Sequence, residues 1–146
     1  MIKKVAVIGA GIMGNQIAMQ VAIHGYEVVC YDLSEKMVEK AAEFSKGWFE
    51  KRIAKGKMTA EDADAIQKRL IFTHDIKIAG TDADLVIEAV SDVVAIKKAA
   101  LSQMDQITPE HCIYASNSSY IVSSRFCDAV RHPENMLNLH FFNPAL

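Results

Sequence analysis

The sequence has almost no excess of charge of either sign, few cysteines and no long hydrophobic run, and each shortage removes a class of function. Sixteen Lys and Arg against eighteen Asp and Glu leave a net charge of −2, which gives no basis for binding nucleic acid or an anionic membrane surface. No apolar stretch approaches the roughly 18 residues of a spanning helix. The N-terminus, Met1-Ile2-Lys3-Lys4-Val5, passes straight into a strand pattern without a signal-peptide cleavage region, so the expected location is the cytoplasm. The three cysteines, Cys30, Cys112 and Cys127, lie far apart and form no C-x-x-C. That spacing argues against metal or redox motifs and for buried, reduced thiols. No metal site is expected. Internal repeats, low-complexity tracts and linkers are also lacking, and 146 residues with 51% apolar content suit one domain with a substantial core.

What is present is an alternation of strand-like and helix-like stretches. The expected fold is α/β, a Rossmann-type doubly wound and mainly parallel sheet with helices on both faces. Lys4 to Gly9 is a continuous apolar run that fits a buried central strand. From Ile12 to His24, Met13, Ile17 and Val21 repeat at helical spacing, and Gly25 stops the helix. Glu27 to Tyr31 is the second strand. Ser34 reads as an N-cap for a long helix on which Met37, Ala41, Phe44 and Trp48 make a core stripe. That helix ends near Lys55-Gly56-Lys57, and Thr59 starts another with Glu61 and Asp62 in its first turn. The two form an extra helical hairpin after the second strand, where a plain βαβ unit carries one helix. Further strands are expected at Leu70 to Thr73, Leu85 to Val90, Ile113 to Ala115 and Met136 to His140, with helices at Val94 to Gln106 and Ile121 to Val130.

Gly9-Ala10-Gly11-Ile12-Met13-Gly14 matches G-x-G-x-x-G between a buried strand and an amphipathic helix, a context in which the helix N-terminus holds a pyrophosphate. Gly9 permits the tight turn, Gly11 lets backbone approach the phosphates, and Gly14 allows close helix–strand packing. An ordinary glycine turn is the competing reading. Asp32 ends the second strand 18 positions after Gly14, near the spacing of a ribose-binding acid. A carboxylate there accepts from both ribose hydroxyls and repels a 2′-phosphate, so NAD is expected over NADP. Asp32 read alone also suits the start of the Asp32-Leu33-Ser34 turn.

Oxidising an alcohol with NAD needs a base for the hydroxyl proton, and histidine titrates near operating pH. His140 ends the last expected strand, and Asn117, Ser118 and Ser119 follow the strand before it. In a doubly wound sheet these ends converge on one crevice. A lone strand-end histidine is also a common structural residue, and one of Ser116 to Ser119 reads equally as a helix cap. His24, His74, His111 and His132 fall near helix or loop ends and read as surface or structural residues.

Four segments spread over the chain carry a resemblance: Val5-Ala-Val-Ile-Gly-Ala-Gly-Ile-Met-Gly14, Asp82-Ala-Asp-Leu-Val-Ile-Glu-Ala89, Ala115-Ser-Asn-Ser-Ser119 and Leu139-His-Phe-Phe-Asn-Pro144. Together they resemble the N-terminal domain of the L-3-hydroxyacyl-CoA dehydrogenases, the last two segments being the most specific. The resemblance implies that residues 1–146 form an NAD-binding domain serving the interconversion of L-3-hydroxyacyl-CoA and 3-ketoacyl-CoA. It implies His140 as general base and Ser119 as hydrogen-bond partner of the reacting oxygen, close to the nicotinamide. Asn143 and Lys97 resemble cofactor-seating residues, and Lys55 falls at a position that contacts coenzyme A. Lys46, Lys51, Arg52, Lys55 and Lys57 form a basic stretch suited to a CoA phosphate, though a solvated helix face explains them equally.

The chain departs from the family at Asp92 and Val93, where Glu-Asn is usual, and at Trp48, where some members place a CoA-contacting serine. Asp92 retains a carboxylate near the nicotinamide ribose with shorter reach. The resemblance further implies a glutamate soon after the His-Phe-Phe-Asn-Pro segment, beyond the end of this chain, that orients the histidine. It also implies a following C-terminal helical domain, absent from this chain, that supplies an asparagine, much of the acyl pocket and a homodimer interface. The isolated chain is therefore expected to bind NAD and turn over weakly or not at all. Two other readings stay open: a dehydrogenase of a free hydroxy acid or sugar acid, and a non-catalytic NAD-binding module.

Overall fold

The computed structural model describes all residues from Met1 to Leu146. Eleven regular elements follow one another as β1 (Lys4–Ile8), α1 (Ile12–Ile23), β2 (Glu27–Tyr31), α2 (Glu35–Ala54), α3 (Ala60–Gln67), β3 (Leu70–Thr73), α4 (Ile76–Gly80), β4 (Leu85–Glu88), α5 (Val94–Asp105), β5 (Ile113–Ser116) and β6 (Met136–Asn138). The strands form one sheet in the order β3-β2-β1-β4-β5-β6, and every pairing is parallel. The strand order reverses between β1 and β4. That is the place where ligands bind in doubly wound sheets.

The apolar run of β1 is explained by its two buried faces. Val5 and Val7 belong to a core beneath α1, α2 and α3, with Ile17, Met19 and Phe49. Ala6 and Ile8 belong to a second core on the other face, with Leu101, Met104, Tyr114 and Phe126. Side chains alternate along a strand, so only a run without polar residues satisfies both layers.

The helical hairpin forms as expected, with Ser34 accepting from the Met37 amide and Thr59 from that of Asp62. Its core stripe differs. The buried face of α2 carries Val38, Ala41, Ser45 and Phe49, while Met37 and Trp48 are half-buried and Phe44 is exposed. Two apolar stripes run side by side on this helix one residue apart, and docking on α1 and the sheet chooses between them. Four other expectations are corrected. Ile121 to Val130 is no α-helix but two short 3₁₀ turns, Ser123–Arg125 and Cys127–Ala129. Phe126 between them is fully buried and non-helical, its ring drawn into the second core at the cost of the ladder. The strand expected to reach His140 stops at Asn138, and the one expected to reach Val90 stops at Glu88. Finally, α4 was not anticipated; Asp75, accepting from Lys77, starts it. No helix is long and apolar enough to cross a membrane.

Cys30 and Cys112 are buried as expected, but Cys127 is only half-buried. Burial pushes both enclosed thiols up to about 12, with Asp32 adding to the effect at Cys30. A thiol reagent should therefore modify Cys127 in the folded chain and reach the other two only on unfolding, read by mass spectrometry of the native and denatured protein. Rapid modification of all three without denaturant would contradict this packing.

Asp84 fastens the N-terminus to the sheet. Its Oδ2 accepts from the amides of Lys3 at 2.7 Å and Lys4 at 3.0 Å, and Oδ1 pairs with His111 at 3.0 Å. These bonds, those from the two amides first, lower its pKa to about 2. A depressed folded value gives stabilisation that is complete above the ordinary Asp range and is lost as pH falls toward about 2. Asp84→Asn should lower the urea midpoint at neutral pH, and its deficit should shrink on acidification below roughly pH 4. A deficit constant in pH would assign the effect to something other than the carboxylate charge.

Candidate functional site

The glycine turn is built by close backbone contact. Gly9 has φ +99°, and its amide donates to the Tyr31 carbonyl at 2.7 Å, tying the end of β1 to β2. A Cβ at Gly9 would stand 2.8 Å from the Ala89 carbonyl oxygen, and one at Gly14 only 1.7 Å from that of Gly9. A Cβ at Gly11 would meet nothing within 4 Å. The same motif thus holds two packing glycines and one that faces open space. Gly11 is the N-cap of α1 and offers no side chain to its first turn, which also contains no acid. The backbone N–H groups at this helix start remain directed at the crevice, where a phosphate suits them.

Asp32 lies at the C-terminal end of β2, beside this turn. Its Oδ2 accepts from the Ala10 amide at 2.8 Å and its Oδ1 from the Ser34 amide at 2.9 Å. The residue therefore both closes its local turn and holds the glycine loop, and each oxygen keeps a further lone pair for a hydroxyl. Next to it, Ile8, Gly9, Tyr31, Leu33, Val90 and Ile96 line part of an apolar cleft of about 200 Å³. That shape has room for a flat ring beside Asp32.

Across the switch point lies a buried ionic cluster. Glu88 ends β4 with no exposed surface and Lys97 of α5 is 1% exposed. The Lys97 ammonium donates to Glu88 Oε1 at 2.9 Å and Oε2 at 3.0 Å, and pairs with Asp92 Oδ1 at 3.1 Å. Glu88 also accepts from the Val90 amide at 2.8 Å and the Ser116 hydroxyl at 2.6 Å. Lys97 therefore has no surface to offer a cofactor directly. It fixes the loop that presents Asp92. Burial raises the Asp92 pKa, but hydrogen bonds from Ser118 and Lys97 and the nearby charges of Lys97 and His140 outweigh it and hold the carboxylate below its ordinary range. Glu88 and Ser116 were missed as functional residues. The one available signal was an acid closing an otherwise apolar strand, Leu85-Val-Ile-Glu88.

His140 and Ser119 are both exposed at this end of the sheet, as is Asn143. The imidazole stacks edge-on against Phe142 with ring centroids 5.1 Å apart. Ser118 turns inward instead, its hydroxyl accepting from the Ile121 amide at 3.0 Å. Lys55 stands exposed at the C-cap of α2, on the hairpin. On the same helix Arg52 covers the Trp48 ring at 4.7 Å. The arrangement brings the start of α1, the Asp32 carboxylate and the exposed His140 imidazole to the carboxyl ends of the strands.

The family model described as 3-hydroxyacyl-CoA dehydrogenase, NAD binding domain, matches residues 4–146. The chain is 38% identical over 144 residues to the 3-hydroxyadipyl-CoA dehydrogenase of Escherichia coli (strain K12), covering 99% of this chain and 30% of that protein. It is 35% identical to the fatty acid oxidation complex subunit alpha of Pseudomonas savastanoi pv. phaseolicola, covering 99% of this chain and 20% of the other. Among solved structures, the 3-hydroxybutyryl-CoA dehydrogenase of Escherichia coli K12 superposes with a TM-score of 0.93 at 38% identity, over 99% of this chain and 30% of that one. The chain thus spans less than a third of the length of these relatives.

Proposed function

The chain belongs to the family of NAD-binding domains of 3-hydroxyacyl-CoA dehydrogenases, and from that premise we propose that it serves hydride transfer between L-3-hydroxyacyl-CoA and 3-ketoacyl-CoA. The observation that carries the reading is that the glycine turn and the exposed His140 both stand at the carboxyl ends of one parallel sheet, on either side of the switch point. The glycine turn, whose packing leaves no room for side chains at Gly9 and Gly14, suits NAD.

In the proposed mechanism the backbone N–H groups of Gly11, Ile12 and Met13 would receive the pyrophosphate. The Gly9 and Ala10 amides, already donating to Tyr31 and Asp32, and the close packing at Gly14 would hold the turn in shape. Asp32 would accept from the adenosine ribose hydroxyls. When bound, NAD would supply the hydride acceptor for the carbinol carbon. His140 takes the proton of the substrate hydroxyl, and in the reductive direction returns it. Ser119 hydrogen-bonds the same oxygen. Asp92, held by Lys97, together with Asn143 borders the nicotinamide ribose, and Lys55 meets a phosphate of coenzyme A.

Replacing Asp32 with alanine removes the ribose acceptor and the brace on the Ala10 amide together. NAD affinity should fall by about tenfold, the worth of a lost charged hydrogen bond, and the preference over NADP should narrow, as read by titration with both dinucleotides. Unchanged affinities would take Asp32 out of the site.

The reading as a whole is tested by NADH oxidation with acetoacetyl-CoA, using this chain and any longer form of the protein that contains it, with NADH binding titrated in each. Binding in both with turnover in the longer form supports the proposal. Binding without turnover in either removes the acyl-CoA substrate, and turnover of a free hydroxy acid instead would make the basic hairpin incidental.

A further inference from the structure

We propose that Asn117 is a positioning residue of His140, its side-chain amide oxygen extending the sheet by one bond past the end of β5 and so fixing the backbone from which the imidazole projects. The inference rests on His140 being the base in the reading above.

In a parallel ladder, amides of alternate residues on one strand donate to alternate carbonyls of the next. Here β6 pairs with β5 through Tyr114 with Met136, Ala115 with Leu137 and Ser116 with Asn138. The last main-chain bond runs from the Leu139 amide to the Ser116 carbonyl at 2.9 Å. The next donor in the series is the Phe141 amide, whose ladder partner would be the Ser118 carbonyl. The chain has already turned away there, because the Ser118 amide folds back on the Ser116 hydroxyl at 3.3 Å. Asn117 Oδ1 fills the gap and accepts from the Phe141 amide at 2.8 Å. An N–H donor requires an acceptor, so the oxygen and not the nitrogen of the amide faces Phe141.

His140 is consequently held between two anchored neighbours, with only its own side-chain torsions left free. Asn117 is itself fixed, since its amide donates to the Glu88 carbonyl at 2.8 Å. Beyond it, Phe141 and Ala145 pack on the first core, and Ala145 is bonded to Gln16 at 2.8 Å and Gln20 at 2.6 Å. The segment carrying the base is thus tied on both sides, and one of the two ties flanking His140 is a side chain.

The test compares Asn117→Ala with Asn117→Asp, which keeps an acceptor of the same shape. In this chain, the Phe141 amide should exchange with solvent about tenfold faster in the alanine variant and at the parent rate in the aspartate variant. In a form of the protein that turns over, Asn117→Ala should lower kcat by roughly 10- to 100-fold with KM for NADH nearly unchanged. Asn117→Asp should restore kcat, because the acceptor for the Phe141 amide is kept. Unchanged exchange at Phe141 in Asn117→Ala overturns the contact. Unchanged kcat where His140→Gln abolishes turnover overturns the positioning role. Normal turnover in His140→Gln instead fails the base assignment, a result separate from the exchange measurement and fatal to the positioning role with it.

Discussion

Gly14→Ala is expected to destabilise the chain by about 3 kcal/mol or more and to lower its melting temperature by roughly 10 °C, whereas Gly11→Ala, three residues away, should leave stability within about 1 kcal/mol of the parent. The reason is the neighbour each methyl would meet. At Gly14 it is the Gly9 carbonyl oxygen at 1.7 Å, a backbone atom fixed by the Gly9 bond to Tyr31. Such a clash moves only if α1 lifts from β1, and β1 is the central strand of the sheet. At Gly11 the methyl enters open space, at a φ of −68° that alanine adopts freely. Its cost appears instead where a phosphate would approach. Thermal melts of the two variants, with NADH titration of each, separate packing from cofactor approach. Equal losses of stability would mean that the glycine turn is not built as described, and undiminished NADH binding by Gly11→Ala would move the phosphates elsewhere.

Lys97→Met should cost about 3–5 kcal/mol, because it leaves the Glu88 carboxylate buried without its counter-ion. The methionine fills most of the same volume, so the loss reports the charge and not a cavity. Combining it with Glu88→Gln should recover much of the stability, since removing both charges of a buried pair is often close to neutral. A glutamine can still accept from the Val90 amide, and the Ser116 hydroxyl can turn to meet its nitrogen. Urea midpoints of the parent, both single variants and the double variant give the coupling, provided the slopes agree. NADH affinity should fall in Lys97→Met as well, because Asp92 loses its hold at 3.1 Å. A single variant as stable as the parent would show that the pair does not organise the switch point.

Much of this molecule is legible in one dimension because its strongest signals are local. The two-faced burial of β1 demands an unbroken apolar run, and the turn after it demands glycine where backbone meets backbone. Helix starts at Ser34 and Thr59 depend on a side chain and an amide three residues on. The parallel sheet, the hairpin after β2 and the segments that mark the family were all readable for that reason. So was the convergence of Asp32, the serines after β5 and His140 on one edge, which follows from strand direction alone.

Contacts between distant residues decided the rest. On α2, neighbouring stripes of similar apolarity leave the buried face open until the sheet is present, so Phe49 and not Phe44 lies in the core. The interval from Ile121 to Val130 has helical spacing, yet burial of Phe126 outweighs the few bonds a short helix would gain. Lys97 read as a cofactor contact becomes a buried brace once Glu88, nine residues back, stands beside it. Asn117 meets Phe141 across 24 positions, a pairing no local pattern announces. The sequence by itself determined the fold class and the NAD-binding family, because period and turn chemistry are properties of adjacent residues. Only the tertiary structure decided which side chains face the crevice and which hold it in shape, because that depends on volume and charge brought together from far along the chain.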